Sequence, residues 1–149
     1  MDLKLKGRRA LVLGGSQGLG RGIAKALAEE GCRVAIAARD RVRLESEARK
    51  IGAERTVVLD TSIEGATAAA IRDLARDWDG IDIIVTNTGG PPKGSVLELG
   101  SEKWKEGFQN LWLSVTEAIE TAAPLMQKGA YGRFLLVTSV SAKLAISGL

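Results

Sequence analysis

The run Gly14-Gly15-Ser16-Gln17-Gly18-Leu19-Gly20 places four glycines in seven residues. Taken at Gly14, Gly18 and Gly20, the spacing is G-x-x-x-G-x-G. A short apolar run precedes it and a helical pattern follows. Backbone N–H groups at a helix N-terminus, unshielded by side chains, make a site for a pyrophosphate, because they carry the positive end of the helix dipole. The plain alternative is a turn that needs positive φ angles. Four glycines exceed what one turn needs, and a glycine run between a strand and a helix at the start of a βαβ unit is the context that dinucleotide binding requires.

A second chemical feature stands at the end of the next apolar run, Ala37-Ala38-Arg39-Asp40. In a dinucleotide fold this point meets the adenosine ribose. A carboxylate there would accept from both ribose hydroxyls and select NAD(H). Here the small Ala38 stands where the acid is expected and Arg39 follows, and a guanidinium suits a 2′-phosphate. The expected cofactor is therefore NADP(H). NAD(H) is the alternative, reached if a one-residue shift in register makes Asp40 the ribose acid. The plain readings are a solvated loop for Arg39 and a helix cap for Asp40.

Other chemistry is excluded by composition. The chain has no His and one Cys, Cys32. A Ser-His-Asp triad, a Cys-His pair, a His-containing metal site, a thiolate zinc cluster and an internal disulfide are ruled out, so no metal residues are expected. The 21 Lys and Arg against 18 Asp and Glu leave a net charge of +3. That is too mild and too evenly spread to argue for nucleic acid or membrane as a partner. No run of eighteen apolar residues exists, and the apolar stretch Ala10 to Leu13 is too short for a signal peptide. With a single unpaired Cys, the expectation is a cytoplasmic protein.

The elements that must position these residues follow from apolar periodicity. Short apolar runs at Arg9–Leu13, Arg33–Ala38, Arg55–Leu59, Ile81–Thr86 and Arg133–Thr138 read as strands. Between them, helices are expected at Gly18–Glu30 with Gly31 just past its end, at Asp40–Ile51, from Thr61 to about Trp78, and from Ser101 to about Gln127. Thr61 with Glu64 forms a capping-box pattern. The last helix carries Trp104, Phe108, Leu111, Val115, Ala118, Ile119 and Ala122 along one side. Strands that are apolar throughout have both faces covered. The pattern β-α-β-α-β-α-β-α-β is thus an α/β fold, a doubly wound parallel sheet of the Rossmann type, in one dinucleotide-binding domain over residues 1–149. At 149 residues and 45% hydrophobic composition the chain is long and apolar enough for one such core. The stretch from Ser139 to Leu149 reads as loop, which would leave a sheet edge uncovered, so the sequence is read as the front part of a longer protein.

With these motifs in place, the sequence resembles the short-chain dehydrogenase/reductase family from Lys6 to at least Ser139. The glycine run is similar to the family's T-G-x-x-x-G-x-G, with Gly14 at the position where Thr is usual. The resemblance implies that Asp60 holds the adenine amino group and that Thr61 offers its backbone N–H to the same ring. Plain readings are a turn residue for Asp60 and a helix cap for Thr61. Asn87-Thr88-Gly89-Gly90 resembles the family's N-N-A-G, departing from it at two of four positions. By that likeness Asn87 steadies the sheet beside the cofactor ribose and Gly89 lets the backbone approach the cofactor. Asn110 resembles the family Asn that positions a water for proton relay; alone, it reads as a polar residue in a helix. Ser139, with Ser141 as a neighbouring candidate, is similar to the serine that hydrogen-bonds the substrate carbonyl. The family's proton-donating Tyr and its Lys would come about a dozen residues after that serine, beyond Leu149.

The resemblance implies an NADP(H)-dependent oxidoreductase that exchanges a hydride between nicotinamide and a carbonyl or secondary alcohol, with a 3-oxoacyl thioester as one substrate. The alternative is a nucleotide-binding regulatory or scaffolding module without the Tyr/Lys pair. It also implies a homodimer or homotetramer paired through the long helix, with Trp104, Trp112, Leu113 and Met126 as apolar surface for the contact or, on the plain reading, as packing within the domain.

Overall fold

The computed structural model describes residues 3–95 and 97–144. Five parallel strands, β1 (Arg9–Leu13), β2 (Arg33–Ala38), β3 (Arg55–Val58), β4 (Ile83–Thr86) and β5 (Arg133–Leu136), form one sheet in the order β3-β2-β1-β4-β5. The central strand is in register with both neighbours, Val12 lying opposite Ile36 on one side and Val85 on the other. The connecting helices are α1 (Gly18–Glu29), α2 (Arg41–Ile51), α3 (Ala66–Trp78), α4 (Ser101–Phe108) and α5 (Ser114–Lys128).

The apolar strands are explained by the two cores they serve. Successive side chains of a strand point to opposite faces. Leu11 and Leu13 pack with Ile71, Leu74, Trp78, Ala118 and Ala122 of α3 and α5. Ala10 and Val12 pack with Ala24, Leu27, Leu44 and Ala48 of α1 and α2. A central strand with cover on both faces has no position for a polar residue. The edge strands differ from the expectation of full cover: Arg55, Thr56 and Val58 of β3 and Arg133, Leu135 and Leu136 of β5 are exposed.

Two helix starts and the course of the long helix differ from the sequence reading. The capping box at Thr61 and Glu64 does not form. The helix opens five residues later at Ala66 behind Gly65, a cap with φ +76° whose N–H donates to Glu117 Oε1 at 3.0 Å. Ser101 is the first residue of α4 rather than its cap; Gly100 is the cap, and no side chain satisfies the first turn. The long helix is interrupted by a π turn, Gln109–Leu113. The interruption rotates the expected apolar stripe: Trp104 and Phe108 lie exposed, whereas Ala118 and Ala122 are buried. Of the residues considered for a subunit contact, Trp104 and Trp112 are exposed and Met126 is buried in the core. After β5, residues 140–142 make a short 3₁₀ turn. The rest of the predicted terminal loop, residues 145–149, lies outside the described residues.

Candidate functional site

A cleft of about 510 Å³ opens at the carboxyl ends of the central strands, on the side where order reverses around β1. That is the place where an open α/β sheet binds its ligand. Gly14 leaves β1 at φ +66°. A Cβ on Gly14 would sit 2.1 Å from Asn87 O, and one on Gly20 would sit 2.2 Å from Gly14 O and 2.7 Å from Asn87 Nδ2. Asn87 Nδ2 donates to Gly14 O at 3.4 Å, and Gly15 N donates to Ala37 O at 3.1 Å. The turn is therefore clasped between β4 and β2 at distances only glycine permits. This corrects the assignment of Gly14 to the family's Thr position. Gly14 is the first glycine of the motif, because no side chain fits there, and the buried Leu13 stands before it.

The first turn of α1 is open to an anion. Its cap, Gln17, makes no side-chain bond to the helix, and the turn holds no acidic residue. The unsatisfied N–H groups there can receive a phosphate. Ser16 is buried in the turn, Leu19 is exposed at the lip, and Gly18 has φ +54° with nothing near its missing Cβ.

Arg39 follows β2 and lies exposed along the cleft; Asp40 also lines it while capping α2, accepting from Arg43 N at 3.0 Å and standing 3.8 Å from the Arg43 guanidinium. The side chain of Arg43 reaches back to the glycine turn, NH1 donating to Gln17 Oε1 at 2.5 Å. The sequence reading passed over Arg43. Arg39 stands before the cap and Arg43 in the first turn of α2, and both line the cleft.

On the far wall, Asp60 accepts from Ser62 N at 3.0 Å and Ser62 Oγ at 2.7 Å. These bonds, and to a lesser degree the charge of Arg39, hold the Asp60 carboxyl below the usual carboxylate range against the opposing effect of burial. Thr61 Oγ1 donates to Asn110 Oδ1 at 2.6 Å. Asn110 belongs to the π turn, not to regular helix, and its main-chain oxygen accepts from Ser114 Oγ at 2.6 Å. Gly89 stands opposite: a Cβ there would lie 4.0 Å from Asn110 Nδ2. Thr88 and Gly90 continue the same wall.

One cleft thus gathers Gly14, Ser16, Gln17, Gly18, Leu19, Arg39, Asp60, Thr61, Asn87, Gly89 and Asn110. Gly20 is buried behind it. Ser139 is exposed beyond β5, its Oγ accepting from Ser141 N at 3.2 Å and bonded to Ser141 Oγ at 2.7 Å, and it does not line the cleft. Among the described residues there is no group of three or more His, Cys, Asp or Glu placed to hold a metal, and no helix is long and apolar enough to cross a membrane.

Comparison with known proteins agrees with this architecture. The family described as short chain dehydrogenase matches residues 8–149. L-xylulose reductase of Bos taurus is 33% identical over 150 residues, a match covering 100% of this chain and 59% of that protein. 3-Oxoacyl-[acyl-carrier-protein] reductase of Vibrio cholerae is 25% identical over 147 residues, covering 98% of this chain and 60% of that protein. The crystal structure of L-sorbose reductase from Gluconobacter frateurii, complexed with NADPH and L-sorbose, matches with a TM-score of 0.94 at 25% identity, covering 99% of this chain and 58% of that one. The chain spans about three fifths of the length of the relatives it matches.

Proposed function

The chain belongs to the short-chain dehydrogenase family, and from that premise we propose that the protein is an NADP(H)-dependent oxidoreductase acting on a carbonyl or secondary alcohol. The observation that carries the reading is the pairing, in one cleft, of an anion-receptive helix start with two guanidinium groups beside it. The open N–H groups of the α1 turn would hold the pyrophosphate. Arg39 and Arg43 would hold the 2′-phosphate, the role that an acid plays for a bare ribose. Asp60 lines the cleft with its carboxyl held below the usual carboxylate range, and it would accept from the adenine amino group. Bound, the cofactor would supply or accept the hydride. Asn110 would order a water, and Ser139 would donate to the carbonyl oxygen. A likeness to L-sorbose reductase complexed with NADPH supports the choice of cofactor. Likenesses to a xylulose reductase and a 3-oxoacyl thioester reductase favour a polyol, its ketose or a 3-oxoacyl thioester as substrate, with the exposed Trp104 and Trp112 as part of a homo-oligomeric contact.

Calorimetric titration with NADPH and NADH tests the cofactor reading. NADPH is expected to bind at least tenfold more tightly. Arg39→Ala should remove most of that preference while leaving NADH unchanged, since one charge-assisted hydrogen bond is worth about 1.5–3 kcal/mol. Equal binding of the two nucleotides, or an Arg39→Ala effect on both, would overturn the assignment. NADPH binding without reduction of any carbonyl by the whole protein would instead support the regulatory or scaffolding reading.

A further inference from the structure

We propose that Thr61 is a positioning residue for Asn110, tying the adenine end of the cleft to the Asn110 amide; the proposal rests on the cofactor reading above. The two residues are 49 apart in sequence. One sits in the loop that follows β3, the other in the π turn between α4 and α5.

A π turn puts an extra residue into the helix and shifts its ladder from i→i−4 to i→i−5. Here Ser114 N–H bonds Gln109 O, and the Asn110 carbonyl that a regular helix would have paired with it is taken by the Ser114 hydroxyl at 2.6 Å. The Asn110 main chain is thus held by the Ser114 hydroxyl, and its side chain takes its partner from outside the helix. That partner is Thr61. Its hydroxyl has one hydrogen and gives it to Asn110 Oδ1 at 2.6 Å. With Oδ1 turned to Thr61, Asn110 presents its donor, Nδ2, on the side of Gly89.

The same residue is fixed at its other end. Thr61 lies between Asp60 and Ser62, which are closed into one turn by two hydrogen bonds to the Asp60 carboxylate. A ligand that engages this turn moves the backbone of Thr61, and the hydroxyl conveys the movement to Asn110. A purely structural staple would hold the loop against the helix but would not make the Asn110 amide respond to a ligand that never touches it.

The test uses the full chain labelled with ¹⁵N, and the side-chain Nδ2 signals of Asn110, assigned by their loss in Asn110→Ala. The probe is 2′,5′-ADP, which has an adenine and a 2′-phosphate but no nicotinamide. In wild type and Thr61→Ser, one Asn110 pair is expected, shifting when 2′,5′-ADP is added. In Thr61→Val the pair should move or broaden in the free protein and stop responding to 2′,5′-ADP at concentrations where the Asp60 and Gly18 amides report saturation. Thr61→Ala serves if the valine variant does not fold, and the wild-type response stands without either. An Asn110 pair unmoved by loss of the hydroxyl overturns the positioning role. A probe that shifts Asp60 and Gly18 but leaves Asn110 still overturns the connection between the two ends. A probe that shifts none of them overturns the cofactor reading, while the free-protein comparison of Thr61→Val with Thr61→Ser still decides the positioning role.

Discussion

Gly14, Gly20 and Gly22 lie within one stretch of chain and have different reasons to be glycine. At Gly20 a methyl group would press into Gly14 O at 2.2 Å, and at Gly14 it would meet Asn87 O at 2.1 Å in a left-handed conformation. Gly22, inside α1, has nothing within 4 Å of its missing Cβ. Gly20→Ala is expected to lower stability by about 1–3 kcal/mol, the usual cost of overpacking, and to abolish nucleotide binding by prising the turn from Asn87. Gly22→Ala is expected to raise stability by about 0.5–1 kcal/mol, because alanine loses less freedom in a helix. Urea unfolding of the two variants checks both signs. The glycine run was readable in the sequence because glycine is itself the mark of close approach. Arg39 was readable from its place at a strand end. The reach of Arg43 to Gln17 and of Thr61 to Asn110 was not, since each joins side chains 26 and 49 residues apart, a pairing that local pattern does not encode.

Between elements, β1 and β4 are joined by a part-buried ion pair at the opposite end of the sheet from the cleft. Asp82, buried before β4, accepts from Arg9 N at 2.8 Å, Nε at 2.8 Å and NH2 at 3.0 Å. Burial pushes its carboxyl upward, yet the Arg9 hydrogen bonds outweigh burial and the net shift is downward. A carboxylate with a depressed folded value stabilises the fold above its unfolded pKa of about 3.9, and that contribution is lost as pH falls through the folded value. Asp82→Asn should flatten the acid limb of the stability–pH curve in chemical denaturation. Asp82→Ala should cost about 3 kcal/mol at neutral pH by leaving the Arg9 charge unpaired. At the π turn, Ser114→Ala should cost about 1 kcal/mol and speed hydrogen exchange of residues 109–114. The sequence placed all five strands within two residues of their observed bounds, because buried apolar runs in a parallel sheet carry a strong signal. It misplaced the start of α3, where Thr61, a good cap by type, gives its hydroxyl to Asn110 instead. It also read α4 and α5 as one helix, since apolar periodicity carries no mark of the extra residue that the π turn at Gln109–Leu113 inserts.

Taken whole, the sheet has a covered centre and bare margins. Leu135 and Leu136 of β5 are 41% and 48% exposed on an edge strand. The strand order has a consequence in time as well as in space. β1 sits at the centre, but one of its two partners, β4, is supplied by residues far along the chain. Arg9 waits for Asp82, and the Gly14 carbonyl for Asn87, each 73 residues later. At a synthesis rate of 5–20 residues per second, that is a delay of about 4–15 s. Throughout it, the nascent chain holds β1 and β2 with their glycine turn unclasped and one side of the central strand open. The nucleotide cleft is then completed only once Asn87 and Asn110 have been made, and the segment before them must be kept from pairing elsewhere until β4 arrives.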